Sequence, residues 1–253
     1  MAASRFEYKY RFLIHALIYM LGFWAPWVNW PGVPNPLGLT DKSTWIVLSS
    51  QLSEHKLLSF MAAVNVVLIL ALLFTALGAI FRIWGSAYVG STIVQSRQMH
   101  GEAMLADGPY RRTRNPLYLG TLLHTIGIAI VMTPSGAIFA ITLLWIFQIR
   151  LALAEEPFLA ERFGQPYLDY KAAVPRFLPS LTPLVPAAGQ QPQWLQAIVG
   201  ELYFLGAFLV LGIFGWTFIL GYTPTATPIR QGILISLGVW LIARAFMPQA
   251  KKS

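Results

Sequence analysis

The sequence predicts an all-α fold, a polytopic membrane bundle of about six spanning helices with both termini on the cytoplasmic side. Three observations predict it. Of 253 residues, 56% are apolar and only 11% are charged, against roughly 25% charged in an average soluble domain. The apolar residues gather in long charge-free runs that a soluble core does not need. Those runs also sort the positive charge: 15 of 18 lysines and arginines fall on one side, while the other keeps only Lys42, Lys56 and Arg230. Loops that retain positive charge stay cytoplasmic.

The first span is residues 12–30, long enough at about 1.5 Å per residue to cross a hydrocarbon core of about 30 Å. An aromatic and proline cluster follows it instead of a small-residue cleavage site, so it reads as a retained span and not as a signal peptide. Trp24, Trp27 and Trp30 suit either a belt at headgroup level or ordinary packing. The second span is residues 57–80, in which Asn65 is the only strongly polar group. It reads as a cavity-lining residue or, in preference, as an interhelical hydrogen bond. The uncharged run 115–149 is too long for one helix and is divided at Thr133-Pro134-Ser135-Gly136, where proline and glycine punctuate a tight helical hairpin. Residues 202–229 make a fifth span. A short sixth, 231–243, lies between Arg230 and Arg244, both of which must snorkel. The chain thus divides into a two-span region (1–80), a core with the hairpin and its flanking segments (81–180), and a two-span extension (181–253).

Composition excludes several chemistries. Without cysteine there are no disulfides, thiolate metal sites, cysteine nucleophiles or S-palmitoylation. The four histidines, His15, His55, His100 and His124, show no paired spacing that would place two imidazoles on one helix face, so no metal site is expected. The net charge of +8 is mostly a topology signal with some attraction to anionic headgroups. A nucleic-acid partner is not implied.

Chemistry is expected in the two long segments that flank the hairpin on its cytoplasmic face. The first closes with Gly108-Pro109, a turn, and with Asn115-Pro116, an N-cap followed by proline at the first helical position. Arg111, Arg112 and Arg114 crowd that helix N-terminus, whose unpaired N–H groups already favour anions. They form a site for a carboxylate or phosphate, or hold topology against lipid phosphate. Beyond the hairpin, Glu155 and Glu156 are adjacent carboxylates at a helix C-terminal end, where the helix dipole disfavours them. They call for a cationic partner, a neighbouring arginine or a bound ligand. Pro157 and Pro166, with Gly164 between them, are expected to break the following stretch into two short helices, with Tyr167, Tyr170 and Lys171 on the second. Val174-Pro175-Arg176-Phe177-Leu178-Pro179 reads as extended chain, a lid or a plain connector.

Taken in order, Gly108-Pro109-Tyr110, Arg114-Asn115-Pro116-Leu117-Tyr118-Leu119-Gly120, Glu155-Glu156, Phe163-Gly164, Tyr167, Tyr170 and Val174-Pro175-Arg176 resemble the isoprenylcysteine carboxyl methyltransferase family and its phospholipid methyltransferase relatives. Arg82-Ile83-Trp84-Gly85-Ser86-Ala87-Tyr88 resembles the approach to that core. The likeness covers residues 80–180 and neither end. It implies an integral membrane methyltransferase using S-adenosylmethionine in a cytosol-facing pocket without a Rossmann domain, and no GxGxxG follows a strand here. The acceptor would be a lipophilic small molecule or lipid, bearing a carboxylate, thiol or amine, that arrives from the bilayer. By the same resemblance, Glu155 and Glu156 hold the cofactor's amino and ribose groups. Arg114 with Asn115 and Pro116 binds its polar end, Gly108, Pro109, Tyr110 and Tyr118 line the pocket, and Arg176 closes it. The family most often has histidine at the position of Asn115, so an imidazole contact does not carry over.

Membrane sterol and steroid reductases resemble the same core but use NADPH. They usually carry an acidic residue after the glycine that follows the tyrosine, whereas Thr121 follows Gly120 here. His124, inside the third span, approaches the acceptor or simply packs. Trp194, Trp216 and Trp240 of the extension shape a lipid entrance or an oligomer contact.

Overall fold

The computed structural model describes residues 2–24, 42–89, 106–219 and 227–245. Among them lie helices α1 (Arg5–Lys9), α2 (Arg11–Trp24), α3 (Thr44–Glu54), α4 (Phe60–Val89), α5 (Pro116–Ile128), α6 (Pro134–Phe163), α7 (Gln165–Ala173), α8 (Trp194–Gly200), α9 (Leu202–Ile219) and α10 (Thr227–Ala245). Two 3-10 turns, Gly108–Arg111 and Ala129–Val131, complete the inventory, so the described residues are all-α. Trp27, Trp30 and Arg97 lie outside them, as do the side chains of Trp24, Arg230 and Arg244.

Two helices, Phe60–Val89 and Pro134–Phe163, are long and apolar enough to cross a membrane, and α8 with α9, which meet at 63°, add a third if they act as one span. Shorter apolar helices, Arg11–Phe23, Pro116–Val131 and Gln231–Trp240, stand where the other three spans were expected. The chain is a multi-pass membrane protein.

Lipid tails are as apolar as leucine, so helices in a bilayer associate through close packing of small residues and through hydrogen bonds. α4 is the centre of this packing, with α5, α3, α8 and α9 against it, while α2 lies on α6 and α10 on α9. At the α4–α5 crossing, a Cβ on Gly78 would lie 2.8 Å from Gly120 O, and one on Gly120 would lie 2.8 Å from Gly78 O. The two backbones are therefore in contact. α4 runs unbroken past residue 80, so the expected boundary there falls inside a helix.

The hairpin forms as its proline and glycine predict. Thr133 caps α6, its hydroxyl accepting from Gly136 N at 3.2 Å, with Pro134 in the first turn. Its turn is wholly buried at Ile128, Val131 and Met132 under α3, a helix that none of the expected spans includes. Thr44 donates its backbone N–H (2.7 Å) and its hydroxyl (3.0 Å) to Met132 O, and Trp45 Nε1 donates to Val64 O at 2.9 Å.

Two expectations are corrected. Pro157 does not break the stretch after the glutamates; α6 continues through it to Phe163, and the stop is Gly164 at φ 59°. A proline inside a helix loses one backbone bond and strains the preceding turn, but here the two residues before it are tied to neighbouring segments on opposite sides, which holds the helix in line. Asn65 makes no interhelical bond among the described residues, its Nδ2 donating to Met61 O within α4 at 2.8 Å.

Candidate active site

At the arginine-rich end of the bundle, four segments converge: the chain from Asp107 into α5, the last turns of α6, α7, and the strap that follows α7. The strap is laced to the first segment by its backbone. Arg114 N donates to Pro175 O (2.8 Å), Ser180 N to Arg112 O (3.0 Å) and Leu184 N to Arg111 O (2.8 Å). Thr113 Oγ1 donates to Phe177 O at 3.0 Å. The buried Asp107 carboxylate accepts from the backbone N–H groups of Ala188, Gly189 and Gln190 at 3.0, 3.3 and 2.8 Å. Arg111 Nε donates to Val185 O at 2.8 Å, and the Arg112 guanidinium to Ser180 O and Leu181 O. These two arginines tie down the strap, a role outside both alternatives read from the sequence.

Glu156 is the focus of the charges. Arg176 grips it with two bonds, Nε to Oε1 at 2.7 Å and Nη2 to Oε2 at 2.9 Å. Lys171 Nζ stands 3.1 Å from Oε2 and Arg114 Nη1 3.0 Å from Oε1. Three cations around one carboxylate leave the cluster in positive excess. Arg114 is nine-tenths buried, yet its Nε and Nη1 make no hydrogen bond among the described residues. Arg176 holds its proton more tightly than usual because it bonds Glu156. Burial raises the Tyr167 phenol, which also faces Glu156 and Arg114.

Glu155 faces a different set. Its Oε1 accepts from Tyr118 OH of α5 at 2.6 Å and from Tyr8 OH of α1 at 2.8 Å. α1 is pinned there by a capping box between Ser4 and Glu7, by Ala3 N donating to Arg150 O at 2.9 Å, and by Arg150 Nη2 on Glu7 Oε1 and Oε2 at 2.9 and 2.8 Å. Arg11 stacks on the Tyr8 ring at 4.4 Å.

The remaining expected site residues are also brought together. Gly108 has φ +53° and meets the Tyr88 ring where a Cβ would stand. Pro109 and Tyr110 are buried beside it, and Tyr110 O accepts from Tyr170 OH at 2.9 Å. Burial raises the Tyr110 phenol well above its ordinary range. Pro116 opens α5 as expected, but Asn115 is corrected: it occupies the N-cap position without capping. Its Nδ2 instead donates to Arg176 O at 3.1 Å, because the strap backbone offers an acceptor there.

His124 is fully buried, with its ring against Phe204 (4.6 Å) and Tyr203 (5.4 Å). It packs, without a hydrogen bond among the described residues. Tyr8 was missed because nothing local marks a tyrosine in a five-residue helix as a partner for Glu155. Lys171 had been placed on its helix without a role, although its basic character beside an acidic pair was a usable signal. A shallow apolar notch of about 340 Å³ between α4 and α8 is lined by Ile80, Ile83, Trp84 and Trp194.

Fold and site together define a multi-pass helical membrane protein with a carboxylate–guanidinium cluster at one end of its bundle. Residues 43–166 match the phospholipid methyltransferase family. The matched segment, 124 of the chain's 253 residues, belongs to this family of integral membrane methyltransferases, starting at α3 and stopping before Lys171 and Arg176. Relatives include the mouse protein-S-isoprenylcysteine O-methyltransferase, 34% identical over 89 residues, covering 34% of this chain and 31% of that protein. The Saccharomyces cerevisiae protein of the same name is 28% identical over 133 residues, 51% of this chain and 56% of that one. Protein-S-isoprenylcysteine O-methyltransferase A of Arabidopsis thaliana is 27% identical over 148 residues, 56% of this chain and 70% of that one. The match thus spans about a third of the mouse relative's length. No solved structure matches the chain.

Proposed function

We propose that this chain is an S-adenosylmethionine-dependent methyltransferase that methylates a lipophilic acceptor, a lipid carboxylate, thiol or amine, at the cytoplasmic face of its membrane. The observation that carries the reading is the cluster around Glu156, where buried Arg114 meets one carboxylate oxygen through Nη1 at 3.0 Å while its Nε has no hydrogen-bond partner among the described residues, beside two adjacent carboxylates. That donor set fits a ligand bearing both a carboxylate and an ammonium, which S-adenosylmethionine has. Arg114 and Lys171 would hold its carboxylate, and Glu155 and Glu156 its amino and ribose groups. Tyr110 and Tyr118 would line the pocket over the turn made by Gly108 and Pro109. Asn115 and Pro116 would fix the start of α5, with Arg176 closing the site from the strap.

When bound, the cofactor supplies an electrophilic methyl carbon on a sulfonium. The chain's own contribution is to bind, align and exclude water. Direct displacement needs little acid–base assistance, and alignment of reacting groups supplies a large part of such acceleration. The relatives' names specify an isoprenylcysteine for those proteins; for this chain the proposal extends to the lipophilic class.

The test is calorimetric titration of detergent-purified protein with S-adenosylhomocysteine and, separately, NADPH. Saturable binding of the first, abolished in Glu156→Ala while expression and insertion persist, is the expected result. Binding of NADPH in its place would overturn the reading in favour of the reductase-like alternative.

A further inference from the structure

The strap carries large apolar side chains that none of the described residues covers. Leu178 is 81% exposed, Leu181 95% and Leu195, on α8, 77%. Leu184, Trp194 and Ile198 are also exposed. Such residues would be unremarkable singly, but here they recur along a strap whose backbone is hydrogen-bonded in place and on the helix that follows it.

Their depth can be read from the helices they touch. Phe177 stacks on Trp145 at 4.9 Å, and Trp145 belongs to the charge-free part of α6, more than a turn inside Arg150. The strap therefore reaches back to the edge of the apolar zone next to Leu178. At its other end, Gln193 N donates to Ala87 O at 2.7 Å. α4 measures about 45 Å at 30 residues, against a hydrocarbon core of about 30 Å, so its turns beyond Arg82 project into the headgroup layer. α8 starts there and meets α9 at 63°, a bend that turns it away from the axis of the spanning helix. Tyr88 and Trp194 stack edge to face at 6.5 Å, an aromatic pair of the kind that lies at headgroup level. Arg111 and Arg112 are bonded to the strap carbonyls of Val185, Ser180 and Leu181 and supply charge opposite to an anionic lipid surface.

We infer that the strap from Phe177 to Leu184 and the exposed face of α8 form an interfacial lipid-contact surface, seated at the headgroup–acyl boundary of the membrane face on the arginine-rich side. The partner is the bilayer itself, with anionic headgroups over the arginines and acyl chains against the leucines. The surface stands whether or not the chain transfers methyl groups. It would fix the height of the strap, and with it Arg176, relative to the lipid.

The cysteine-free chain allows a clean test. Single variants Leu178→Cys, Leu181→Cys and Leu195→Cys, with Glu161→Cys, an exposed position in the last turn of α6, as an aqueous reference, are spin-labelled in nanodiscs of phosphatidylcholine containing phosphatidylglycerol. Collision rates with oxygen and with a water-soluble nickel chelate are then compared. The expected result is a reversal of the ratio, with oxygen dominant at the three leucine positions and nickel dominant at residue 161. Nickel-dominant collisions at the leucine positions, equal to those at residue 161, would overturn the proposal. So would a ratio at Leu181→Cys that becomes oxygen-dominant only when a second protein is added.

Discussion

Glu155 and Glu156 are neighbours in the chain and face opposite halves of the site, Glu155 toward the hydroxyls of Tyr8 and Tyr118 and Glu156 toward Arg114, Lys171 and Arg176. About 100° separates successive residues on a helix. The pair therefore reads two environments from one turn of α6, one built from neutral donors and one from cations.

Both hydroxyls on Glu155 donate to the same oxygen, so their removal is expected to be non-additive. Tyr118→Phe and Tyr8→Phe should each weaken S-adenosylhomocysteine binding by about 1.5–3 kcal/mol, the range for a hydrogen bond to a charged group. In Tyr8→Phe/Tyr118→Phe the loss should differ from the sum of the singles. Calorimetry on the four proteins reads this out, and strict additivity would show that the tyrosines act separately.

Glu7 gives a pH test. Its bonds to Arg150 and to the Ser4 N–H hold the carboxyl down to about 2 from the ordinary 4.5. A depressed folded value means that its contribution to docking α1 is fully present above about 4.5 and is lost as pH falls through about 2. A spin label at Arg5→Cys should become mobile across that window, whereas in Glu7→Gln it should be mobile at every pH. Unchanged mobility in the otherwise wild-type protein would remove the latch.

The hairpin, its proline–glycine turn, the start of α5 at Pro116 and the need of Glu156 for a cationic partner were legible, because each rests on local chemistry, whereas Glu155 meets two tyrosine hydroxyls instead. What was not legible depends on distance. Asn115 has the right residue type for a cap, yet its amide goes to the Arg176 carbonyl, a partner 61 positions away. Pro157 carries a local signal to break a helix, and the tertiary ties of Glu155 and Glu156 override it. α3 is only moderately apolar, and its purpose, covering the buried turn at Val131 and Met132, exists only once the hairpin has folded.

The backbone contact at Gly120 predicts intolerance of a single methyl. A Cβ there would stand 2.8 Å from Gly78 O and 3.0 Å from Arg82 N, and neither backbone atom can yield without separating α4 from α5. Gly120→Ala should lower stability by about 1–3 kcal/mol, as overpacking does. Gly238→Ala, in α10 where the space is open, should be neutral or stabilising by up to about 1 kcal/mol. Thermal unfolding in detergent compares them, and equal midpoints would mean the helices slide to make room.

Arg82 and Glu201 connect the matched core to the C-terminal helices. Arg82 Nε and Nη2 donate to the two carboxylate oxygens of Glu201 at 2.9 and 2.8 Å, the guanidinium lies 4.6 Å from the Phe204 ring, and Glu201 is 2% exposed. Arg82→Leu leaves that carboxylate buried without its partner and should cost about 3–5 kcal/mol, as should Glu201→Leu for the stranded guanidinium. Replacing both by leucine removes the two desolvated charges together, and buried pairs so replaced are often neutral or better. Arg82→Leu/Glu201→Leu should therefore unfold at a higher temperature than either single variant. If it does not, Arg82 is needed for more than its ion pair, and its 3.4 Å contact to the Thr121 hydroxyl on α5 becomes the interaction to remove next.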